Sequence, residues 1–239
     1  MRQTRVFTVG AAIVLFLMAC APSRDVLTLS DLDPKLEFLE LVGMDVVLVD
    51  YPVVGIDRYN EFFKSSALIY FAMAFSISMV NDATANLKNY ARDHVAGAVM
   101  DENIQELIGD TPPDQLSTEQ SLAVMRMERE RGRISDHERE YFAATAGHLG
   151  LATLALARGI KEAPTLIKRG KRLLLNVVSD FNLFGFPKFW EIRPVYDGLN
   201  ESIDRLTYVA ERAPILVEDI AVLISGFKEL SEGGEVEEL

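Results

Sequence analysis

Three long apolar seams constrain this chain more than any other feature. From Asp57 onward, Tyr59, Phe62, Ser66, Ile69, Met73, Ser76, Val80, Ala83, Leu87, Tyr90 and His94 recur at alternating spacings of three and four. That spacing holds one stripe on one face of an α-helix, because 3.6 residues complete a turn. A second seam runs Leu149, Thr153, Leu156, Ile160, Ala163, Ile167, Gly170, Leu174, Val177 and Phe181. A third runs Tyr196, Leu199, Ile203, Leu206, Ala210, Ala213, Val217, Ile220, Ile224 and Phe227. Its period of roughly 3.5 residues implies left-handed, near-parallel packing on a neighbour. A lone helix cannot bury such a stripe, so the seams must face one another. The expected fold is all-α: an elongated antiparallel bundle of four or five helices, three of them long. No fixed-period repeat of the solenoid kind is present.

Punctuation between the seams sets the expected boundaries. No proline interrupts Asp57 to Gly109, and a break falls near Gly97 if there is one. Gly109-Asp-Thr-Pro-Pro-Asp114 is the clearest loop. Ser117 with Gln120, and Ser135 with Glu138, are spaced as capping boxes, in which each partner satisfies the other's free backbone N–H. Between them a charged helix runs to about Arg131, with Leu122 and Met125 inward, and Gly132 to Ser135 turns. The helix that follows is rich in Ala143, Ala144, Ala146, Gly147, Gly150, Ala152 and Ala155, a smooth surface that a neighbour can approach closely. Pro164 and Pro214 should bend their helices, and the unbroken register across Pro164 favours a kink over a split. Residues 181–196 read as an aromatic connection that folds over and plugs the bundle end.

The N-terminal region is less regular. Residues 21–35, with Pro22 and Pro34, read as a polar tether. In residues 36–54, Leu36, Leu39 and Val42 suit a short helix, whereas Asp45-Val-Val-Leu-Val-Asp-Tyr51 suits a strand. With no second clear strand, irregular structure or a short helix is the expectation.

Ahead of this lies Leu17-Met18-Ala19-Cys20, preceded by Arg2, Arg5 and an apolar run from Val6 to Leu17. A basic start, an apolar core and a small-residue site are the parts of a secretory signal. The apolar run is shorter than the roughly 20 residues a spanning helix needs. The tetrapeptide resembles the lipobox of bacterial lipoproteins. That resemblance implies cleavage between Ala19 and Cys20, lipidation (palmitate among the acyl chains) of Cys20, and attachment to the cell envelope. Ala21, where aspartate marks inner-membrane retention in Gram-negative lipoproteins, implies the outer membrane, facing the periplasm or the surface. Cys20 is the chain's single cysteine, so neither an internal disulfide nor a cysteine metal cluster can form. The chain then divides into a signal peptide, 1–19; a lipidated cysteine and tether, 20–55; a helical bundle, 56–230; and an acidic disordered tail, 231–239.

The 239 residues carry a formal net charge of −12, and losing Arg2 and Arg5 with the signal makes the remainder more acidic. Nucleic acid is therefore not an expected partner, since phosphate contacts need clustered Lys and Arg. Broad adhesion to anionic lipid is disfavoured for the same reason. Hydrophobic residues make up 49%, a globular balance.

Few residues carry chemistry. The uncharged run Ser65 to Asn81 is either a segment that enters a membrane or a central helix buried on all sides, and its length and serines favour the latter. Phe184, Phe186, Phe189 and Trp190 are candidates for contact with a partner or a membrane. His137 and His148 share a face with Tyr141 but stand about 16 Å apart along a helix, too far for one metal. His94 sits on a seam and reads as a core histidine with its hydrogen bonds satisfied. Ser225-Gly-Phe-Lys228 matches Ser-x-x-Lys by chance, because the accompanying Lys-Thr-Gly is absent. Lys168-Arg-Gly-Lys-Arg172 is the one basic cluster and reads as a solvated face paired with acidic helices. No phosphate loop, dinucleotide fingerprint or other cofactor signature is present. The expected function is non-enzymatic: a lipid-anchored scaffold or accessory subunit with a protein partner in the envelope. Alternatives are a membrane-active helical protein, similar in outline to pore-forming toxins, and a carrier of a lipid or other apolar ligand.

Overall fold

In the computed structural model, backbone is described for residues 23–27, 49–97, 102–181 and 189–232, and side chains for 50–96, 102–181 and 192–232. Among them are two short strands, β1 (Ser23–Leu27) and β2 (Val49–Val53), and five α-helices. The helices are α1 (Asp57–Gly97), α2 (Glu102–Ile108), α3 (Thr118–Glu130), α4 (Asp136–Asp180) and α5 (Phe189–Ser231). The fold is an all-α helical bundle with three long helices, as the seams require. The seams point inward: Tyr59, Phe62, Leu87, Leu149, Leu156, Ala163, Leu199, Leu206, Ala213 and Phe227 are all nearly inaccessible. Tyr196 is a departure, at 44% exposed, because Val195 takes the inward position at that turn.

Local chemistry fixes the ends. α1 stops at Gly97, where a residue costing about 1 kcal/mol in a helix interior weakens the ladder. Gly109 closes α2 at φ +58°, its N–H donating to the Gln105 carbonyl at 2.8 Å. Gly132 does the same after α3 at φ +66°. Both capping boxes form. The Gln120 N–H donates to Ser117 Oγ and the Ser117 N–H to Gln120 Oε1, each at 3.0 Å. At the second, the Ser135 N–H donates to Glu138 Oε2 at 2.7 Å. Pro164 lies inside a continuous α4, as the register across it predicts, and α5 is likewise continuous through Pro214.

Two expectations need correcting. Residues 181–196 are not one connection: α5 begins at Phe189 and runs through Pro194. Pro194 falls within the first two turns, where its missing N–H removes a single helical hydrogen bond. The second correction is at the N-terminal region. Val49–Val53 is a strand, paired antiparallel with Ser23–Leu27 so that Ser23 faces Val53 and Leu27 faces Val49. The partner strand lies in what reads as a polar tether, so its pairing has no signature of its own. Pro52 is tolerated because in a two-stranded ribbon every strand is an edge.

The chain divides into two compact units, one of Met1–Phe71 with Gly159–Glu211, the other of Ala72–Arg158 with Arg212–Leu239. In the first, close approaches pair Phe62 with Gly170 and Ile69 with Gly159, so α4 runs antiparallel to α1. Gly198 meets Phe63 while Arg205 stacks 5.0 Å over the Tyr70 ring, so α5 runs parallel to α1. β2 leads into α1 through Asn60, whose side chain accepts from the Val54 N–H at 2.7 Å and donates to the Val54 carbonyl at 2.6 Å. The fully buried Tyr59 donates its hydroxyl to Asp180 Oδ2 at 2.6 Å, and Arg58 pairs with the same carboxylate. Burial first, then the Asp180 hydrogen bond, pushes the Tyr59 hydroxyl far above its ordinary value, so it stays a donor. In the second unit, Tyr90, Tyr141, Phe142 and Phe227 form a chain of ring contacts with centroids 5.3 to 5.7 Å apart. There Gly226 touches Leu122, which brings α3 against α5.

Candidate functional site

Ala19, Cys20, Phe184 and Phe186 lie outside the described residues, as does the tail beyond Glu232. Phe189 and Trp190 open α5, and only their backbone is described. The remaining sequence candidates fall into three places.

The first is a buried polar cluster in the second unit. His94, near the end of α1, lies between two carboxylates. Its Nδ1 is 3.3 Å from Glu128 Oε2 and its Nε2 is 2.8 Å from Glu138 Oε1. The Nε2 contact with Glu138 is a hydrogen bond, and Nδ1 faces the Glu128 carboxylate, so the ring sits as a core histidine with polar neighbours at both edges. Glu128 is only 1% exposed and also meets Arg131 at 3.0 Å and Arg133 at 3.6 Å. Burial by itself would raise the Glu138 carboxyl. The Ser135 hydroxyl and N–H and the His94 ring outweigh it and hold that carboxyl below its usual range. Because the carboxylates bind opposite edges of one ring, they do not converge on a common point. Among the described residues, no group of three or more His, Cys, Asp or Glu side chains could hold a metal ion. The cluster ties α1, α3 and the start of α4 together, and its chemistry is that of a structural clasp. Glu128 was not singled out from sequence, yet it follows Leu122 and Met125 at spacings of three and shares their inward face.

The second place is a surface recess of ≈ 470 Å³ in the same unit, lined by Ala143, Ala146, Gly147 and Gly150 of α4 and Ile224, Lys228 and Ser231 of α5. Lys228 and Ser225 are exposed. The wall is made of small side chains on an open side. A Cβ added at Gly147 or Gly150 would meet nothing within 4 Å. Along the same helix Ala146 and Ala152 are buried, and a Cβ at Gly159 or Gly170 would meet side chains of neighbouring helices at 3.3 Å or less. His137 is exposed, and burial lowers the His148 ring below its ordinary value.

The third place is the basic cluster. Of its four cations, Arg169 pairs with Glu61 at 2.8 Å and with the Arg58 carbonyl at 3.2 Å. Lys168, Lys171 and Arg172 are exposed and have no ion pair among the described residues. The expected pairing with acidic helices therefore holds for one residue of the four.

The apolar run of α1 is enclosed. From Ser65 to Val80 every residue is buried or half-buried. Among the described residues α1 is the one helix long and apolar enough to cross a membrane by length and composition, and half of its most apolar window is buried. No protein-family model, no curated protein and no solved structure matches this chain.

Proposed function

We propose that the chain is a lipid-anchored protein of the bacterial cell envelope that acts by binding, as a scaffold or accessory subunit, without enzymatic chemistry. The observation that carries this reading is Leu17-Met18-Ala19-Cys20, with the single cysteine of the chain at the acceptor position. Support comes from the polar clusters, whose ionic and hydrogen-bonding groups are spent on one another. His94 lies between the Glu128 and Glu138 carboxylates, and Tyr59 and Asp180 bind each other. Metabolic labelling with a fatty-acid analogue tests the anchor: wild type should take label and Cys20→Ser should not, and equal label on both refutes it. Capture of the tagged lipoprotein from its own envelope should then return a defined protein partner.

A second reading, a membrane-active helical protein, is favoured by the length and hydropathy of α1. The enclosure of Ser65 to Val80 weighs against it. Release of dye from loaded liposomes by the protein would put the second reading first.

A further inference from the structure

We propose that one face of α4 in the first unit, carrying Lys161, Lys168, Lys171 and Arg172 beside Leu175 and Val178, docks on the surface of an anionic lipid bilayer. At 100° per residue these six positions fall within an arc of about 120°. Lys161, Lys168 and Leu175 are spaced by seven, as are Lys171 and Val178. All four cations are exposed, and none has an ion pair among the described residues. The two carboxylates on this stretch of α4 project elsewhere. Glu162 and Asp180 both lie about 100° round the helix from Lys161. Asp180 is held by Arg58 and the Tyr59 hydroxyl, and Glu162 is half-buried.

The apolar members of the face decide the occupant. Leu175 is 84% exposed, the most exposed large hydrophobic side chain among the described residues, and Val178 is 55% exposed. Cations that lead along one helix face into bare aliphatic side chains match the boundary between lipid headgroups and acyl chains. Each Lys or Arg near an anionic membrane is worth about fivefold in binding. The net charge of −12 opposes adhesion in general. That repulsion is screened beyond about 8 Å at physiological ionic strength, so a protein presenting this face meets the membrane with its local positive charge. Docking is then specific to one orientation. It goes beyond the lipid anchor, which would hold the chain near a membrane in any orientation.

The test uses the lipidated protein purified from membranes and reconstituted on vesicles of phosphatidylcholine, with or without phosphatidylglycerol. Ser179, exposed and five turns from Lys161 on the same line, is replaced by Ser179→Cys and labelled with a polarity-sensitive dye. The expected result is blue-shifted emission on vesicles with phosphatidylglycerol and none without it. High salt should abolish the shift. Lys168→Gln with Arg172→Gln should weaken docking about 25-fold, with unchanged circular dichroism. Equal emission on both vesicles, or no effect of the double substitution, overturns the inference. One dye per chain is expected, because lipid blocks Cys20. Two dyes per chain mean that the anchor reading has failed. The unlabelled chain is then sedimented with the same vesicles: binding that requires phosphatidylglycerol still supports the face, and binding independent of it overturns the face.

Discussion

Gly170→Ala and Gly147→Ala make the same chemical change in the same helix, and the structure predicts opposite signs. Replacing glycine by alanine in a helix interior gains about 1 kcal/mol, because glycine loses more backbone entropy on folding. At Gly147 nothing lies within 4 Å of the added Cβ, so the gain is realised in full. At Gly170 the Cβ would stand 2.7 Å from Phe62 Cζ and 2.9 Å from Ile203 Cγ1. The Phe62 ring is 0% exposed and packs edge-on against Phe63 at 5.7 Å, so it has nowhere to move. Overpacking a filled core costs about 1–3 kcal/mol, which exceeds the propensity gain over most of that range. Gly170→Ala should therefore destabilise by about 1 kcal/mol, and Gly147→Ala should stabilise by about 1 kcal/mol. For a chain of this size each corresponds to about 2–4 °C in Tm. Thermal unfolding followed by circular dichroism reads both. Phe62→Leu combined with Gly170→Ala should recover part of the loss, because the two sites are in contact and their effects are not additive. If Gly170→Ala raises Tm as much as Gly147→Ala does, α4 does not lie against α1 and α5 as described.

Phe71, 2% exposed, gives a test of the apolar run. Phe71→Asp should destabilise by more than 4 kcal/mol, roughly the sum of a lost core ring and a buried unpaired carboxylate. A cost under about 1 kcal/mol in urea unfolding would mean that the side chain faces solvent. Glu128→Ala should cost about 2 kcal/mol, below the usual penalty for breaking a buried pair, because Arg131 and Arg133 can turn to water at 22% and 53% exposure. Glu138 adds a pH dependence. Its carboxyl is held below the usual range in the fold, so its stabilising effect is complete above the unfolded-chain value and is lost as pH falls through its own lowered one. Glu138→Gln should flatten stability across that acidic window in denaturant titrations, and an unchanged pH slope would sink the assignment.

The sequence by itself determined the class of fold. Helix periodicity, capping boxes and turn glycines are local properties, readable from residues a few positions apart. That is why α1, α3 and α4, the two caps and the continuity across Pro164 were legible. The lipobox-like stretch is equally local, and so is the basic composition of 168–172. The tertiary structure decided what depends on a partner distant in the chain. Val49–Val53 is a strand because Ser23–Leu27 pairs with it, and a five-residue polar strand carries little pattern. Arg169 is neutralised and Lys168 is not because Glu61 lies on one side of α4 alone. Glu128 becomes a buried clasp because His94 arrives from another helix. Gly147 and Gly170 are indistinguishable as letters. Only the neighbouring helices, whose side chains would stand 2.7 Å from a Cβ added at Gly170 and leave a Cβ at Gly147 free, give the two glycines different meanings.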